Sequence, residues 1–558
     1  MRNKFAVPLI VLGVLLMLVG IGQRTIWAPP ETESASAAVS DAKAPVTVLD
    51  AELLAGYPDG VEITVRQDAP FTLAVGRAND VEAWVGEAAA NRLEAADGDE
   101  LAAASEQGEA KTPNPAGSDL WVVEEAGEGE LSYDWKAPAE GDWEILLATD
   151  GTAAAPGDVT LTWDSDASRP LAVPLIVLGA LLAVLGLALG FLRSGDTPRR
   201  GGRRSAGPDN RSVPAEKSPS STSAFTAHAP ARRRPAMAAA AAAALVLVAT
   251  PAPALAEEGS AGSRPVVLDS QLERILADVA GTVEAGDAAK DANALAPRVG
   301  GSAYALREAN YAVAAKAADH EAPVPVAAQT LRTQSVAATD SWPRTIVAVT
   351  QGEANPVPQA LLLVQASARE NYKLVSAVQM LPASTFPQPP AAGTGADQIP
   401  ADSANGLLMS PQQAVAALAD SLTNPQGDNK ATFAGNRFTE DVVKFQEQVK
   451  TDPKNEFATN TFTHTAEPSA THALRTADGG AIVFGYLANT FSSTPKEAGD
   501  SINLEGTVYQ SLTGQANTDA GIDVRHGEAV MVYVPAAGSN SQAQVVGAAQ
   551  QLLGATLK

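Results

Sequence analysis

Two long apolar runs without a charged residue constrain this chain before anything else does. The first, FAVPLIVLGVLLMLVGIG from Phe5 to Gly22, would measure about 27 Å as a helix at ~1.5 Å per residue, close to the thickness of a bilayer core. The second, LAVPLIVLGALLAVLGLALGFL from Leu171 to Leu192, is longer and can span with some tilt. Both contain AVPLIVLG, at Ala6 to Gly13 and at Ala172 to Gly179. Pro8 and Pro174 fall in the opening helical turn, where a missing amide hydrogen costs little. The repeat admits two readings: shared apolar composition, or two similar helices that touch through small residues.

A third stretch has Arg232 to Arg234, then an apolar core from Ala236 to Thr250, then Pro251, Pro253 and Ala254-Leu255-Ala256 before Glu257. This is the layout of a secretory signal, placed internally over 236–256, either retained as a third span or cleaved after Ala256. Basic residues orient the whole. Arg2 and Lys4 precede the first run, and residues 193–235 carry ten basic against three acidic residues. Residues 1–4 and 193–235 are therefore expected in the cytoplasm, the latter as a disordered loop. Residues 28–168, with thirty acidic and six basic side chains, and residues 257–558 are expected outside, in a multi-pass protein of the cell membrane. The formal charge of -25 argues against nucleic acid as a partner. With no cysteine, neither a disulfide framework nor a cysteine-ligated metal site can form.

Between the runs the apolar pattern alternates. Strands are expected at 46–49, 61–65, 71–75, 80–85, 120–123, 131–135, 143–148 and 158–163, with turns such as Pro58-Asp59-Gly60 between them. Short antiparallel strands imply a small β-sandwich or jelly-roll-like barrel over 28–168. Trp84, Trp121, Trp135, Trp143 and Trp163 lie here, either filling the core or forming a sugar-stacking platform. The acidic runs Asp97-Gly98-Asp99-Glu100 and Glu124 to Glu130 lack the spacing of a calcium loop and read as solvated surface. Asp97-x-Asp99 and Asp164-x-Asp166 match the Asp-x-Asp element of glycosyltransferases only weakly.

Beyond Glu257 the pattern is α+β in two lobes. In lobe A (265–382), helices are expected at 270–284 and 302–318 and strands at 344–350, 360–366 and 372–379. Residues 383–409, rich in proline, read as a linker. In lobe B (410–558), Ser410-Pro411-Gln412-Gln413 is a capping box with proline in the first turn. Helices are expected at 411–422 and 439–450, strands near 457–464, 472–476, 481–491, 502–511 and 528–534, and a closing helix at 541–556. Helices followed by a meander suggest cystatin-like or nuclear-transport-factor-2-like cones, a fold analogy that carries no function.

The phrases ILADVAGTVEAGDAAKDANALAPRVGG, LREANY, SWPRTIVAVTQ and ENYKLVSAVQMLP resemble those of an uncharacterised family of actinobacterial cell-envelope membrane proteins. The resemblance covers 265–382 well and the second lobe more loosely. It implies a C-terminal domain of unknown function on a membrane anchor and supplies no catalytic residues.

The residues carry no signature of catalysis: no HExxH, P-loop, G-x-S-x-G or dinucleotide fingerprint is present. His464 and His472 are eight apart and are expected on neighbouring strands, at the surface or half-buried. The first places to look for a ligand pocket are Tyr304, Asn310, Tyr311, Trp342, Arg344, Asn371 and Tyr372. No catalytic residue, cofactor or metal is expected. The leading expectation is a non-enzymatic envelope protein whose partners are the lipid bilayer and a wall glycan, a lipid-linked precursor or another envelope protein; its oligomeric state is not legible. The alternatives are a glycosyltransferase-like or glycan-modifying enzyme and a carrier of a small apolar ligand. A connected pocket with two facing carboxylates of perturbed pKa would favour the enzyme, a closed apolar cavity the carrier, and neither of these the binding protein.

Overall fold

The structure, a computed structural model, describes residues 5–28, 30–38, 43–95, 101–165, 170–191, 264–353, 355–391 and 393–558. The expected loop 193–235, the segment 236–256 and Asp97, Asp99 and Asp166 lie outside the described residues. The chain forms two compact units, one of residues 1–30 and 165–259, the other of 31–164 and 260–558.

In the first unit, α1 (Ala6–Arg24) packs against α4 (Ala172–Phe191). Both are long and apolar enough to cross a membrane. The repeated octapeptide is a contact surface. Ala6, Gly13 and Gly20 recur every seventh residue, as do Ala172, Gly179 and Gly186, so each set forms a stripe along one helical face. A methyl group on Gly13 would stand 2.5 Å from the Gly179 carbonyl oxygen, and one on Gly179 equally close to that of Gly13. Gly20 faces Ala172 and Gly186 faces Ala6, so the helices run antiparallel with backbones touching. Of the two readings of the repeat, the structure realises the packing one.

The second unit begins with β1 (Thr32–Ala38), β2 (Val46–Leu49), α2 (Ala51–Ala55), β3 (Val61–Arg77), α3 (Ala78–Val85), β4 (Ala90–Ala95), β5 (Leu101–Glu106), β6 (Val123–Trp135), β7 (Trp143–Ala148) and β8 (Asp158–Asp164). Among the described residues these eight strands join in one sheet, ordered β1-β8-β3-β7-β2-β4-β5 with β6 on the other edge of β3, rather than the two separate sheets of the expected sandwich. The expected strands 61–65 and 71–75 are one continuous strand, β3, whose register with β6 shifts between Gln67 and Phe71. Its first half pairs with β8 and its second with β7, so one strand turns the whole sheet. Residues 80–85 are helical, not extended: Val81, Trp84 and Val85 are buried together, and their spacing of three and four fits a helix face. The strand expected at 120–123 starts only at Val123, because Trp121 is drawn into a turn where its indole N–H donates to Pro115 O at 2.7 Å. Trp84, Trp121, Trp135 and Trp143 are buried and Trp163 is half-buried against Tyr57; they are core, not an exposed platform.

The C-terminal part contains α5 (Asp269–Ala289), α6 (Ala292–Leu295), α7 (Gly301–Ala314), β9 (Leu331–Val336), β10 (Arg344–Thr350), β11 (Gln359–Gln365), β12 (Lys373–Met380), α8 (Pro411–Thr423), α9 (Arg437–Thr451), β13 (Ala458–Ala466), β14 (His472–Arg475), β15 (Ala481–Pro495), β16 (Ile502–Asn503), α10 (Val508–Thr513), β17 (Asn517–Thr518), β18 (Ile522–Val534) and β19 (Gln544–Leu557). The capping box forms as read, with Ser410 Oγ accepting from Gln413 N–H and the Gln413 side chain accepting from Ser410 N–H.

The two expected lobes share a single sheet. Its order is β13-β15-β18-β19-β12-β11-β10-β9, with β14 beside β15, and β12 joins β19 at Gln379–Ala548 and Met380–Gly547. The expected closing helix is therefore a strand. Residues 544–557 pair with β18 over nearly its whole length, and Gly547 lies so close to β12 that a methyl group there would stand 2.9 Å from Val378. Alanine and glutamine favour a helix, but tertiary pairing overrides that preference. The expected strand 502–511 divides into β16 and α10, separated by a turn at Gly506 with φ +71°. Residues 383–409 are no free linker: Ala396 N–H donates to Val336 O, Ile399 N–H to Ala473 O and Leu408 N–H to Pro535 O, and Ala396, Ile399 and Leu407 are buried.

Candidate functional site

The seven residues singled out from the sequence fall in two places. On or beside α7, Tyr304 packs on the core under α5, Asn310 donates to Glu321 O at 2.8 Å and to Gln551 Oε1 at 3.1 Å, and the Tyr311 hydroxyl donates to Asp287. Burial, with the Asp287 carboxylate beside it, pushes the Tyr311 phenol up.

Trp342, Arg344, Asn371 and Tyr372 form the seam between the N-terminal sheet and the C-terminal domain. Arg344 stacks on Trp342 at 3.9 Å and reaches Asp80 at 2.6 Å, with both charged side chains almost wholly buried. Asn371 accepts from Asp119 N–H at 2.9 Å and donates to Gly117 O at 2.9 Å. Tyr372 N–H donates to Asp119 Oδ2 at 2.7 Å, and Arg298 meets the same oxygen at 2.5 Å. Trp84 and Trp121, edge to face with centroids 5.8 Å apart, share this core with Ala368. Burial raises the Asp80 and Asp119 carboxyls, against the pull of Arg344 and Arg298. Each buried acid here meets an arginine, so neither charge is left uncompensated.

A different arrangement lies where α8 and α9 cover the face of β13, β15, β18 and β19. In α9, capped by Asn436 accepting from Thr439 N–H at 3.0 Å, Phe438, Val442, Phe445 and Gln446 share one face by helical spacing. Of the whole helix only Gln446 is buried, and Phe445 is half exposed. The space between this face and the sheet is a cavity of about 630 Å³, walled by those residues with Phe462, Phe491 and Tyr509. Arg437 and Asp441 pair at 2.7 Å beside it.

Polar side chains make its floor. Strand alternation sends His526 and Glu528 of β18 to the same face as Val530 and Val532, and register sets Asn489 opposite His526 and Gln550 opposite Glu528. Asn489 and Gln550 each donate to Glu528 Oε1 at 2.8 Å. His464 Nε2 lies 3.4 Å from the same oxygen, and both side chains are wholly buried. Glu528 Oε2, Asn489 Oδ1, Gln446 Oε1, His526 Nδ1 and both His464 ring nitrogens meet no hydrogen-bond partner among the described residues. Burial lowers the His526 pKa and keeps that ring neutral at neutral pH. His464, expected at the surface or half-buried, is thus in the interior. Phe462-x-His464, Asn489-x-Phe491 and His526-x-Glu528 carry the signal in the sequence: aromatic and polar residues two apart share a strand face.

Residues 263–557 match the family described as "Domain of unknown function (DUF8094)". The chain belongs to this family. The cavity lies entirely within the DUF8094 domain, and the N-terminal sheet lies outside it. No curated protein and no solved structure matches the chain. Among the described residues, no group of three histidine, aspartate or glutamate side chains could hold a metal ion.

Proposed function

We propose that this is a non-enzymatic, membrane-anchored binding protein of the cell envelope whose DUF8094 domain takes the apolar part of an amphipathic small molecule, such as a lipid-linked precursor. The observation that carries the reading is the aromatic-walled cavity of about 630 Å³ under α9, within the range of about 300–1,000 Å³ usual for small-molecule sites. Apolar walls with a few converging polar groups are the general form of such sites, and the standing-off of α9 leaves its apolar face uncovered. Glycan cleavage normally uses a facing pair of carboxylates. The floor holds Glu528, while Asp441 is tied to Arg437, which favours binding over that chemistry. In this reading the basic flanks of the two apolar helices put residues 28–168 outside the membrane, and Arg232 to Arg234 with the apolar segment 236–256 carry residues 257–558 to the same side.

The test is binding of the neutral fluorophore prodan to the full-length protein in nanodiscs, corrected against empty nanodiscs. Saturable binding is expected, and Phe445→Ala, at a half-exposed wall position, should weaken it by about tenfold, equivalent to ~1.4 kcal/mol. No saturable signal, or wild-type affinity in the variant, overturns the proposal.

A further inference from the structure

We infer that the ligand of this cavity carries a protonated amine, held through its N–H groups by the polar floor; the inference rests on the binding reading above. The floor has acceptors to offer and few donors. The side-chain amide nitrogens of Asn489 and Gln550 are both turned to Glu528 Oε1, and that of Gln446 donates to Leu422 O at 3.0 Å. Among the described residues the unpartnered atoms include three oxygens, Asn489 Oδ1 and Gln446 Oε1 on residues that line the cavity and Glu528 Oε2 on the side chain to which Asn489 donates, together with His526 Nδ1 and the two His464 ring nitrogens. Asn489 is 7% exposed, Gln446 2% and Glu528 0%, so water reaches none of them freely. A buried acceptor without a donor is costly, and a buried carboxylate more so. An ammonium ion answers both needs, with up to three N–H donors and a charge opposite to that of Glu528.

The walls agree with the floor. Phenyl and phenol faces attract cations, and the Lys450 ammonium already stands 5.6 Å from the Phe462 ring centre. A carboxylate or phosphate ligand would meet the like charge of Glu528 at the floor, while Arg437 is engaged by Asp441 and Lys450 stands over the Phe462 ring without lining the cavity.

The experiment is competition against prodan, on the full-length protein in nanodiscs, by four compounds with the same phenylbutyl body: the amine, the alcohol, the carboxylate and the trimethylammonium. The amine is expected to bind about tenfold or more tighter than the alcohol, from ~1.5–3 kcal/mol for a charge-assisted hydrogen bond. The carboxylate should be weakest, and the trimethylammonium, a cation without N–H, should lose most of the amine's advantage. Glu528→Gln should bring amine and alcohol within about twofold of each other, each read against that variant's own prodan affinity; thermal unfolding checks that the variant is folded, and the wild-type comparison stands without it. Equal binding of amine and alcohol, preference for the carboxylate, or equal binding of amine and trimethylammonium overturns the inference while prodan binding upholds the cavity. Absence of prodan binding overturns the binding reading, and the inference with it.

Discussion

The seam and the cavity floor both bury charge in the same unit, yet they dispose of it in opposite ways. At the seam each buried acid meets an arginine: Asp80 has Arg344 and Asp119 has Arg298. At the floor, Glu528 has two amides on one oxygen, a histidine 3.4 Å away and nothing on the other oxygen. Acids paired to arginine specify how two pieces of protein fit together, even where Arg344 Nε and the Tyr372 hydroxyl make no hydrogen bond among the described residues. A carboxylate beside a cavity, with no arginine or lysine paired to it among the described residues, has valence left for something else. The seam therefore explains why the arginine and aromatic residues that look like a pocket in the sequence are an interface, and why the site itself lies elsewhere.

The sharpest way to break that contrast is an isosteric change of carboxylate to amide in each region. Asp119→Asn leaves the largely buried Arg298 with only the half-exposed Asp278 carboxylate, 2.9 Å away, as counter-charge, and the Tyr372 N–H with a weaker acceptor. A loss of about 2–3 kcal/mol is expected, from weakened hydrogen bonds to a charged group, read by urea unfolding with the fluorescence of the seam residues Trp84 and Trp121. A cost below about 1 kcal/mol, the level of an exposed pair, would show that the seam does not depend on this ion pair.

A fourth buried carboxylate sharpens the comparison, for it has neither a paired arginine nor a cavity. Glu144 on β7 is 4% exposed and its Oε2 has no hydrogen-bond partner among the described residues. Burial, with Glu82 and Asp50 nearby, pushes its pKa up to about 8; Arg92 opposes this but is already bonded to Glu82 and Glu106. The folded state therefore holds this proton more tightly than the unfolded chain. Its contribution is fully present below the ordinary glutamate value and is lost as pH rises towards 8. The limit is about 1.4 kcal/mol per pH unit, and relaxation should leave about 1–2 kcal/mol over the whole window. Glu144→Gln should gain on wild type as pH rises from 5 to 8, and parallel stability curves would remove the effect.

The contrast was only half legible in the sequence. Charge-free length marked α1 and α4, and the Ser410–Gln413 cap marked the start of α8, because these signals are local. The β12–β19 joint was not legible: two backbone pairings around Gly547 decide it against the helical preference of the surrounding alanine and glutamine. Nor was the floor, whose His464, Asn489, Glu528 and Gln550 come from four strands and meet only through register. Trp342 and Arg344 were conspicuous by residue type alone, and type does not distinguish a side chain that awaits a ligand from one already stacked and paired.

The smallest expected effect bears hardest on that distinction. Glu528→Gln keeps one side-chain oxygen to accept from Asn489 and Gln550 and removes a buried charge with no arginine or lysine paired to it. Replacing an imperfectly compensated buried ion by a neutral isostere is often neutral or stabilising. Unfolding stability should therefore change by no more than about 1 kcal/mol in either direction, within the range of one ordinary hydrogen bond. The same urea experiment reads both variants. If Glu528→Gln costs as much as Asp119→Asn, the floor is a structural network like the seam, and its unpartnered oxygens are not reserved for a ligand. If it is neutral in stability but removes the selectivity for an amine, the floor keeps Glu528 for binding rather than for folding.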